Sequence, residues 1–498
     1  MRKKSFRTMS IHLSKLNRPE KGTLTLFSQH ISNIIVYLAC FYAIINLYSF
    51  KYEIPLPHII RVAAVDIERN FPKLSPWGPG FDREILDEFG NYTDVKLLIT
   101  PYPTHNKAFE ALQKGKADLM LASGYNPENF KKFTSIKAGP VYEQSPALLL
   151  HNIRRFELRT PFELCDQTIF APKHSGLIKT FKDLSDYLVC APTLITSNDS
   201  NHLDPLLELN EDKNFRFHLV EAGAFKPLQP FLHKLRVTDN FGDDLEYRWY
   251  WRDDIQGLTE VTEDYWHLIS TNGTLENKRE IYFGFLPDET DFYDLYSLRK
   301  DIREKLPFYR KYILKAAKKY NIDPLLLAAV MYQESRFDPL ARSKTGVRGL
   351  MQLTENTADL MGLTSRLDPE QSITGGAKYL RFLWDKLSSR DVDGWNRWLF
   401  TLAAYNQGLG HVYDAIEISG YLGKSSGTWR SLKQIFPLLT MPKYHSQTRY
   451  GYTRGYEGVD YVDSIRYYYY TMKGLAILPG LEAEYLAPFT VASPAVGP

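Results

Sequence analysis

The 498-residue sequence predicts two folded parts in succession, an α/β domain followed by a mainly α-helical domain. Strand-like and helix-like patterns alternate between residues 58 and 284, which is typical of an α/β domain. Helical patterns prevail after residue 300, and among them is a capped apolar helix at 323–337. With 44% hydrophobic residues, a chain of this length can bury the cores of two or three domains.

Composition argues against some classes of partner. The net charge of +3 is close to balanced for so long a chain, so it does not point to nucleic acid. The 12 histidines are scattered and no Cys/His spacing suggests zinc, so we expect no metal and no cofactor. Aromatic residues make up 14% of the chain, and we expect most of them in cores and a few stacked on sugar rings.

The first fifty residues differ in kind from the rest. A basic stretch with no acidic residue before Glu20 leads into an apolar run at 31–48. This order is typical of an export signal or of a single membrane anchor, and it places the rest of the chain outside the cytoplasm. Because a membrane span needs about 20 apolar residues, the run is marginal as an anchor. Lipidation of Cys40 is disfavoured, since the apolar run continues past it.

The segment 55–286 has the pattern of an α/β domain. Strand-like stretches at 59–64 and 95–99 flank a helix-like stretch at 80–89. A second helix then stops at Gly115, and a third strand follows it. The alternation predicts a sheet covered by helices.

This series resembles the family 3 periplasmic solute-binding domains, in which two lobes enclose a cleft. Members that bind amino acids usually carry an arginine after the central strand, whereas residues 126–129 read Asn-Pro-Glu-Asn here. A guanidinium that would grip a ligand carboxylate in a bidentate manner is therefore missing. This departure leads to the hypothesis that the domain does not transport a free amino acid and instead senses a small ligand such as a muropeptide or regulates the helical domain, with an inert scaffold as the alternative.

Two cysteines, Cys165 and Cys190, lie in the part of the chain that is predicted to be exported. An exported protein can oxidise such a pair to a disulfide. Cys190 lies in a stretch, 187–191, with the pattern of a buried strand, which favours two unpaired core cysteines. Both states stay open on the sequence, with the unpaired state preferred.

The acidic segment 287–300 is predicted to link the two domains and to dock through its aromatic residues. The helical domain is predicted over 301–475. Residues 476–498 form a tail, and its Pro-containing end is expected to be disordered.

The helical domain contains an apolar helix that ends in a carboxylate. Asp323 is a natural N-cap, and Pro324 suits the first helical position. At helical spacing Leu327, Val330 and Glu334 share one face, so Glu334 lies at the end of an apolar stripe. Desolvation there raises a carboxyl pKa toward the range that a general acid needs at neutral pH. An ordinary glutamate near a helix end is the alternative.

Four more motifs follow Glu334. They are a glycine turn at 343–353, a Gly-Gly pair in 373–380, a helix end at 401–408 and a tail at 452–462. Each of them taken singly is explained by packing or helix capping. In this order and spacing, they resemble the lysozyme-like catalytic domain of soluble-type lytic transglycosylases. The tail resembles the membrane-bound lytic murein transglycosylase F family.

The resemblance implies a fold and a location. The fold is a periplasmic-binding-protein-like, two-lobed α/β domain followed by a mainly α, lysozyme-like domain. The location is the periplasm of a Gram-negative bacterium in association with a membrane. A signal anchor in the inner membrane and a cleaved signal with attachment to the outer membrane both stay open.

The resemblance also implies an activity on the glycan strands of peptidoglycan. Glu334 would act as acid and then as base at the bond between N-acetylmuramic acid and N-acetylglucosamine, leaving 1,6-anhydromuramyl ends. Tyr461 would orient Glu334, and Glu457 is either a partner near the acid or a plain surface residue. The residues implied to line the groove or to position the substrate are Ser343, Met351, Gln352, Tyr405 and Asn406.

The number of carboxylates separates the classes of reaction. Hydrolysing glycosidases usually need two carboxylates. The motif region around Glu334 offers Asp338, whose Asp-Pro sequence is typical of a turn. A single acid favours a reaction assisted by the N-acetyl group of the sugar. A muramidase-type hydrolase and a non-enzymatic, membrane-tethered sensor of cell-wall fragments are the alternatives.

Overall fold

Strands and helices alternate through the first half of the chain, and helices make up the second half. The computed structural model describes residues 56–490, apart from 71, 126, 128–129, 155–159, 174, 189, 191, 198–200, 212–216, 344–345, 391 and 393. The apolar run at 31–48, most of 126–129 and the end of the tail at 491–498 lie outside the described residues. Within the described range, no helix combines the length and the apolar character that a membrane span requires.

The strands form one continuous sheet that extends through two lobes. The strands are β1 Ile59–Val65, β2 Lys96–Tyr102, β3 Leu119–Ala122, β4 Ile136–Ala138, β5 Glu143–Asn152, β6 Thr168–Pro172, β7 Thr193–Ser197, β8 Phe217–Glu221 and β9 Leu235–Arg252. Their order is β2-β1-β3-β9-β5-β8-β6-β7, and β4 also pairs with β9. Because β9 pairs with β5 over its first part and with β3 over its last part, it runs through both lobes.

Helices cover each lobe. The first lobe carries α1 Phe81–Thr93, α2 His105–Gln113, α6 Leu258–Thr271 and α7 Thr274–Phe283, and the second carries α3 Leu177–Leu188, α4 Leu203–Asn210 and α5 Ala222–Leu228. Each lobe has its own buried core, represented by Met120 in the first and by Leu219 in the second. Strand β1 is parallel to β2 and β3, and β6 is parallel to β7 and β8, as an α/β fold requires.

The second half is helical. Its helices are α8 Phe292–Glu304, α9 Leu306–Tyr320, α10 Pro324–Ser335, α11 Glu355–Met361, α12 Pro369–Lys386, α13 Gly394–Gln407, α14 Leu409–Tyr421, α15 Trp429–Ile435, α16 Pro442–His445, α17 Gly455–Ile477 and α18 Ala483–Thr490. Helix α8 begins inside the segment predicted as a linker, and α18 lies inside the predicted tail. The predicted fold class, a two-lobed α/β part followed by a mainly helical part, is confirmed.

The preferred prediction of two unpaired cysteines is wrong. Cys165 and Cys190 form a disulfide. Residues 187 and 188, where the expected strand would begin, belong instead to the end of α3, and β7 begins at Thr193. Cys190 therefore lies in the connection after α3, where it meets the turn that carries Cys165.

The two halves pack against each other along α17. Trp77 of the α/β part contacts Trp395 and Tyr469 edge-on, with ring centroids 4.7 and 5.6 Å apart. Phe231 lies against Tyr470, with a centroid distance of 5.6 Å. These rings are buried, so the interface resembles a domain core more than a transient contact.

Candidate active site

Helix α10 has a strong start and an apolar surface. The carboxylate of Asp323 accepts hydrogen bonds from the backbone N–H groups of Leu325 at 2.8 Å and Leu326 at 3.2 Å. Every side chain from Pro324 to Tyr332 is buried, because α10 packs against α9, α17 and α18. The helix is therefore a rigid support for the group at its far end.

Glu334 lies half-buried in the last turn of α10. The helix ends directly after it, where Arg336 adopts a left-handed conformation with φ of 50°. Burial raises the pKa of Glu334 to about 7, against a smaller lowering by the Tyr461 hydroxyl, which donates to Oε1 at 2.5 Å. Tyr461 is buried on α17, the helix that packs on α10. The carboxyl group can therefore hold a proton at neutral pH and also release it.

Tyr405 also lies near this carboxyl group. Burial raises the pKa of Tyr405 well above its usual value, and the neighbouring Glu334 carboxylate raises it further. The Tyr405 hydroxyl donates to the backbone oxygen of Met351 at 2.8 Å. Met351 in turn lies against Gly376, where an added Cβ would come within 2.5 Å of the Met351 Cε. The structure thus brings α12, α13 and the glycine turn together next to Glu334.

Ser343 and Gln352 belong to the glycine turn itself. The Ser343 Oγ accepts a hydrogen bond from the backbone N–H of Val347 at 3.2 Å. The Gln352 Nε2 donates to the backbone oxygens of Ala341 at 3.0 Å and Gly349 at 2.8 Å. Both side chains help to fix the shape of the turn, and their contact with a substrate stays a prediction.

Asn406 is exposed at the end of α13. Its Oδ1 accepts a hydrogen bond from the Gln407 Nε2, and the Gln407 Oε1 accepts one from the Thr453 hydroxyl. Gln407 and Thr453 therefore join the end of α13 to the segment before α17, a link that sequence reasoning missed. Thr453 is 46 positions away from Gln407, so no local pattern in the sequence could have indicated this contact.

Two other carboxylates of the motif region, Glu457 and Asp338, have partners of their own. Glu457 is exposed one turn before Tyr461 and pairs with Arg454 at 3.2 Å. Asp338 is exposed and accepts a backbone N–H within its own turn at 2.9 Å. For the residues that the structure describes, only burial and Tyr461 shift the pKa of Glu334. The same residues contain no cluster of His, Cys, Asp and Glu side chains that could hold a metal ion.

This chain is similar to known proteins, both in its helical part and over most of its length. Residues 311–426 match the family model of the Transglycosylase SLT domain. The membrane-bound lytic murein transglycosylase F of Shewanella frigidimarina is 34% identical over 395 residues, which cover 79% of this chain and 81% of that protein. The protein of the same name from Salmonella paratyphi A is 34% identical over 430 residues, covering 84% of this chain and 80% of that protein. The chain belongs to the membrane-bound lytic murein transglycosylase F family.

The α/β part of this family member is also similar to solved binding proteins. An ancestral arginine-binding protein bound to arginine aligns with 15% identity and a TM-score of 0.39, over 46% of this chain and 99% of that protein.

In this member of the transglycosylase F family, charged side chains line the cleft between the lobes. The buried Arg69 pairs with Asp82 and with Glu143, each at 3.0 Å. On the other lobe, His202 pairs with Glu221 at 2.7 Å. One pocket between the lobes, next to His202, has a volume of about 50 Å³, and a second, between Glu143 and Ala222, has about 420 Å³.

Proposed function

We propose that this protein is a lytic transglycosylase that cleaves the β-1,4 bond between N-acetylmuramic acid and N-acetylglucosamine in peptidoglycan, with Glu334 as its acid and base. The supporting observation is a lone carboxyl group whose pKa of about 7 results from burial and which is hydrogen-bonded to Tyr461. A muramidase of the usual kind needs a second carboxylate within reach. Glu457 and Asp338, the other two carboxylates considered in the motif region, are exposed and hydrogen-bonded within their own turns.

The reaction has two halves. Protonated Glu334 first gives its proton to the glycosidic oxygen, and the bond between this oxygen and C1 of the muramyl residue breaks. The acetamido group of the muramyl residue supports the positive charge that develops at C1, as in substrate-assisted glycosidases. The Glu334 carboxylate then takes the proton of the muramyl C6 hydroxyl, and the C6 oxygen bonds to C1. The product carries a 1,6-anhydro ring, Glu334 is protonated again, and no water is consumed.

The residues around Glu334 support this reaction in distinct ways. Tyr461 orients the carboxyl group through its hydrogen bond. Tyr405 and Asn406, at the end of α13, position the acetamido group. The glycan groove is lined by Ser343, Met351 and Gln352.

The α/β part acts as a sensor of a small cell-wall fragment. Its two-lobed fold and the cleft between the lobes support this role. Arg69 is held by Asp82 and Glu143, so it is not available to bind the carboxylate of an amino acid. Titration calorimetry of the full chain tests this role, with heat expected from muropeptides and none from amino acids. Tight binding of an amino acid would contradict it.

The protein works in the periplasm at a membrane surface. The apolar run at 31–48 and its basic flank support this location. The names of the relatives from Gram-negative bacteria agree with membrane attachment.

Mass spectrometry of digested peptidoglycan tests the activity. The full chain, purified in mild detergent, is expected to release anhydromuramyl products, and Glu334→Gln is expected to release none. The matched control is Glu417→Gln, the same change at an exposed position of α14, which should keep the activity. Products with reducing ends would support the muramidase instead. No products from the wild-type chain would support the non-enzymatic sensor.

A further inference from the structure

Helix α17 carries Tyr461 and, five residues later, a buried arginine that binds the α/β part. Arg466 is only 1% exposed. Its Nη1 donates to the carboxylate of Glu280 at 2.8 Å, and its Nη2 donates to the backbone oxygens of Ile281 at 2.9 Å and of Glu280 itself. These oxygens belong to the last turn of α7, the negative end of its dipole. Arg466 thus caps a helix of the neighbouring half.

Charged groups from three helices meet at this point. Asp463 of α17 accepts a hydrogen bond from Arg466 at 2.9 Å and pairs with Lys433 of α15 at 2.6 Å. Lys433 also donates to the backbone oxygen of Gly284, just after α7, at 2.7 Å. With Glu280, the cluster has two carboxylates and two cations, so its charges balance. Arg466 is buried and its three partners are half-buried, so the cluster holds its members in one arrangement, because displacing one of them leaves a charge unpaired.

Arg466 and Tyr461 lie on the same helix, α17, so a shift of Arg466 also shifts Tyr461. Five residues correspond to about 7.5 Å along a helix axis. Val462 and Ile465, which lie between them, are fully buried, so this part of α17 has no room to bend. The bond from Tyr461 to Glu334, at 2.5 Å, lengthens if α17 slides or turns even slightly.

We propose that Arg466 is a positioning residue for the reaction, which holds α17 on the end of α7 and thereby fixes the Tyr461 hydroxyl against Glu334. The α/β part then contributes to catalysis through a fixed contact, in addition to any ligand that it senses. This inference rests on the proposed function of Glu334 as acid and base.

A double-mutant cycle in the full chain tests the inference. Arg466→Lys keeps the positive charge but cannot make the forked contact with the carboxylate and the backbone oxygens. We expect kcat on glycan strands to fall about tenfold with KM little changed, because the defect is one of orientation. The alkaline limb of the kcat profile should move to higher pH, since the Tyr461 hydrogen bond favours the ionised form of Glu334. In a Tyr461→Phe background, the same substitution should change kcat by less than about twofold.

Two other variants keep the test decisive. Glu280→Gln preserves shape and the backbone contacts, so it covers the case in which Arg466→Lys does not fold, and it should lower kcat about threefold with the same shift of the pH profile. Tyr470→Phe removes another contact of α17 with the α/β part, from its hydroxyl to the backbone oxygen of Pro227 at 2.8 Å. As the matched control, Tyr470→Phe should leave kcat and the pH profile unchanged.

The opposite results would overturn the inference. They are an equal loss of kcat with and without the Tyr461 hydroxyl, a change confined to KM, or a change confined to the unfolding midpoint. A wild-type chain that releases no anhydro ends contradicts the proposed function itself, and the Arg466 inference falls with it. An active wild-type chain with unaffected Arg466 and Glu280 variants contradicts only the inference.

Discussion

At the scale of single residues, the reaction that we propose uses one carboxyl group for two chemical steps. Glu334 first donates a proton and later accepts one, and a pKa of about 7 keeps both forms accessible at neutral pH. The folded protein reaches this value by burying the carboxyl group at the end of an apolar helix. The same burial makes the charged form of Glu334 unfavourable for stability.

Glu334→Gln is therefore expected to stabilise the fold in a pH-dependent manner. The pKa of Glu334 is about 7 in the folded state, and that of an unfolded glutamate is about 4.3. Because the folded value is the higher one, the stability from this group is complete at about pH 4 and is lost as the pH rises through 7. The glutamine variant should exceed the wild type by about 1–3 kcal/mol near pH 8 and match it near pH 4.

Urea unfolding at the two pH values measures this difference. Glu417→Gln at its exposed position should change the free energy of unfolding little at either pH. An equal gain for Glu334→Gln at both pH values would mean that packing, and not ionisation, is responsible.

The position of Glu334 at the end of an apolar helix was predictable from local signals in the sequence. The cap at Asp323 and the apolar stripe are both contained within one helix. Tyr461 lies 127 positions further along the chain, so its place beside Glu334 was predicted only through the family resemblance. The bond between Gln407 and Thr453 has neither kind of signal, because it depends on how two distant helix ends meet.

At the scale of elements, α10 is fixed by the residue that begins it. Asp323 caps the first turn and also pairs with Lys473 of α17 at 2.8 Å. One buried carboxylate therefore sets both the start of α10 and its contact with the helix that carries Tyr461.

Asp323→Ala should lower the free energy of unfolding by about 2–4 kcal/mol, because it removes the cap and leaves the Lys473 cation without this partner. Asp323→Asn keeps an oxygen for the cap and loses only the charge, so its loss should be about half as large. Denaturation in urea compares the two variants. Equal losses would show that the ion pair, and not the cap, holds the helix.

Element boundaries explain why the cysteine prediction failed. A five-residue apolar run does not distinguish a buried strand from the last turn of a buried helix. Helix α3 continues to Leu188, and the short connection that follows lets Cys190 reach Cys165.

At the scale of the whole molecule, the two halves fit closely along α17. Gly474 faces the ring of Phe231, and an added Cβ would come within 2.3 Å of it. The fold class was predictable because the alternation of strands and helices is periodic along the chain. The close fit of the two halves along α17 was not predictable, because it depends on two surfaces that are distant in sequence.

In Gly474→Ala, the higher helix propensity of alanine opposes the cost of fitting its methyl group into the interface. Alanine favours a helix over glycine by up to about 1 kcal/mol, whereas overpacking a close interface costs about 1–3 kcal/mol. We expect packing to prevail, with a net loss of about 1–2 kcal/mol in the free energy of unfolding. Gly420→Ala, on α14 with open space around its Cβ position, should instead stabilise slightly. Two variants that stabilise alike would contradict the close fit.

Helix α17 touches both lobes of the α/β part. Tyr470 reaches the backbone oxygen of Pro227 on the second lobe, while Arg466 holds the end of α7 on the first. The helix thus links the two lobes, through which β9 also runs. If the lobes moved apart while both contacts persisted, α17 would have to move with them, so opening of the cleft would displace the helix that carries Tyr461.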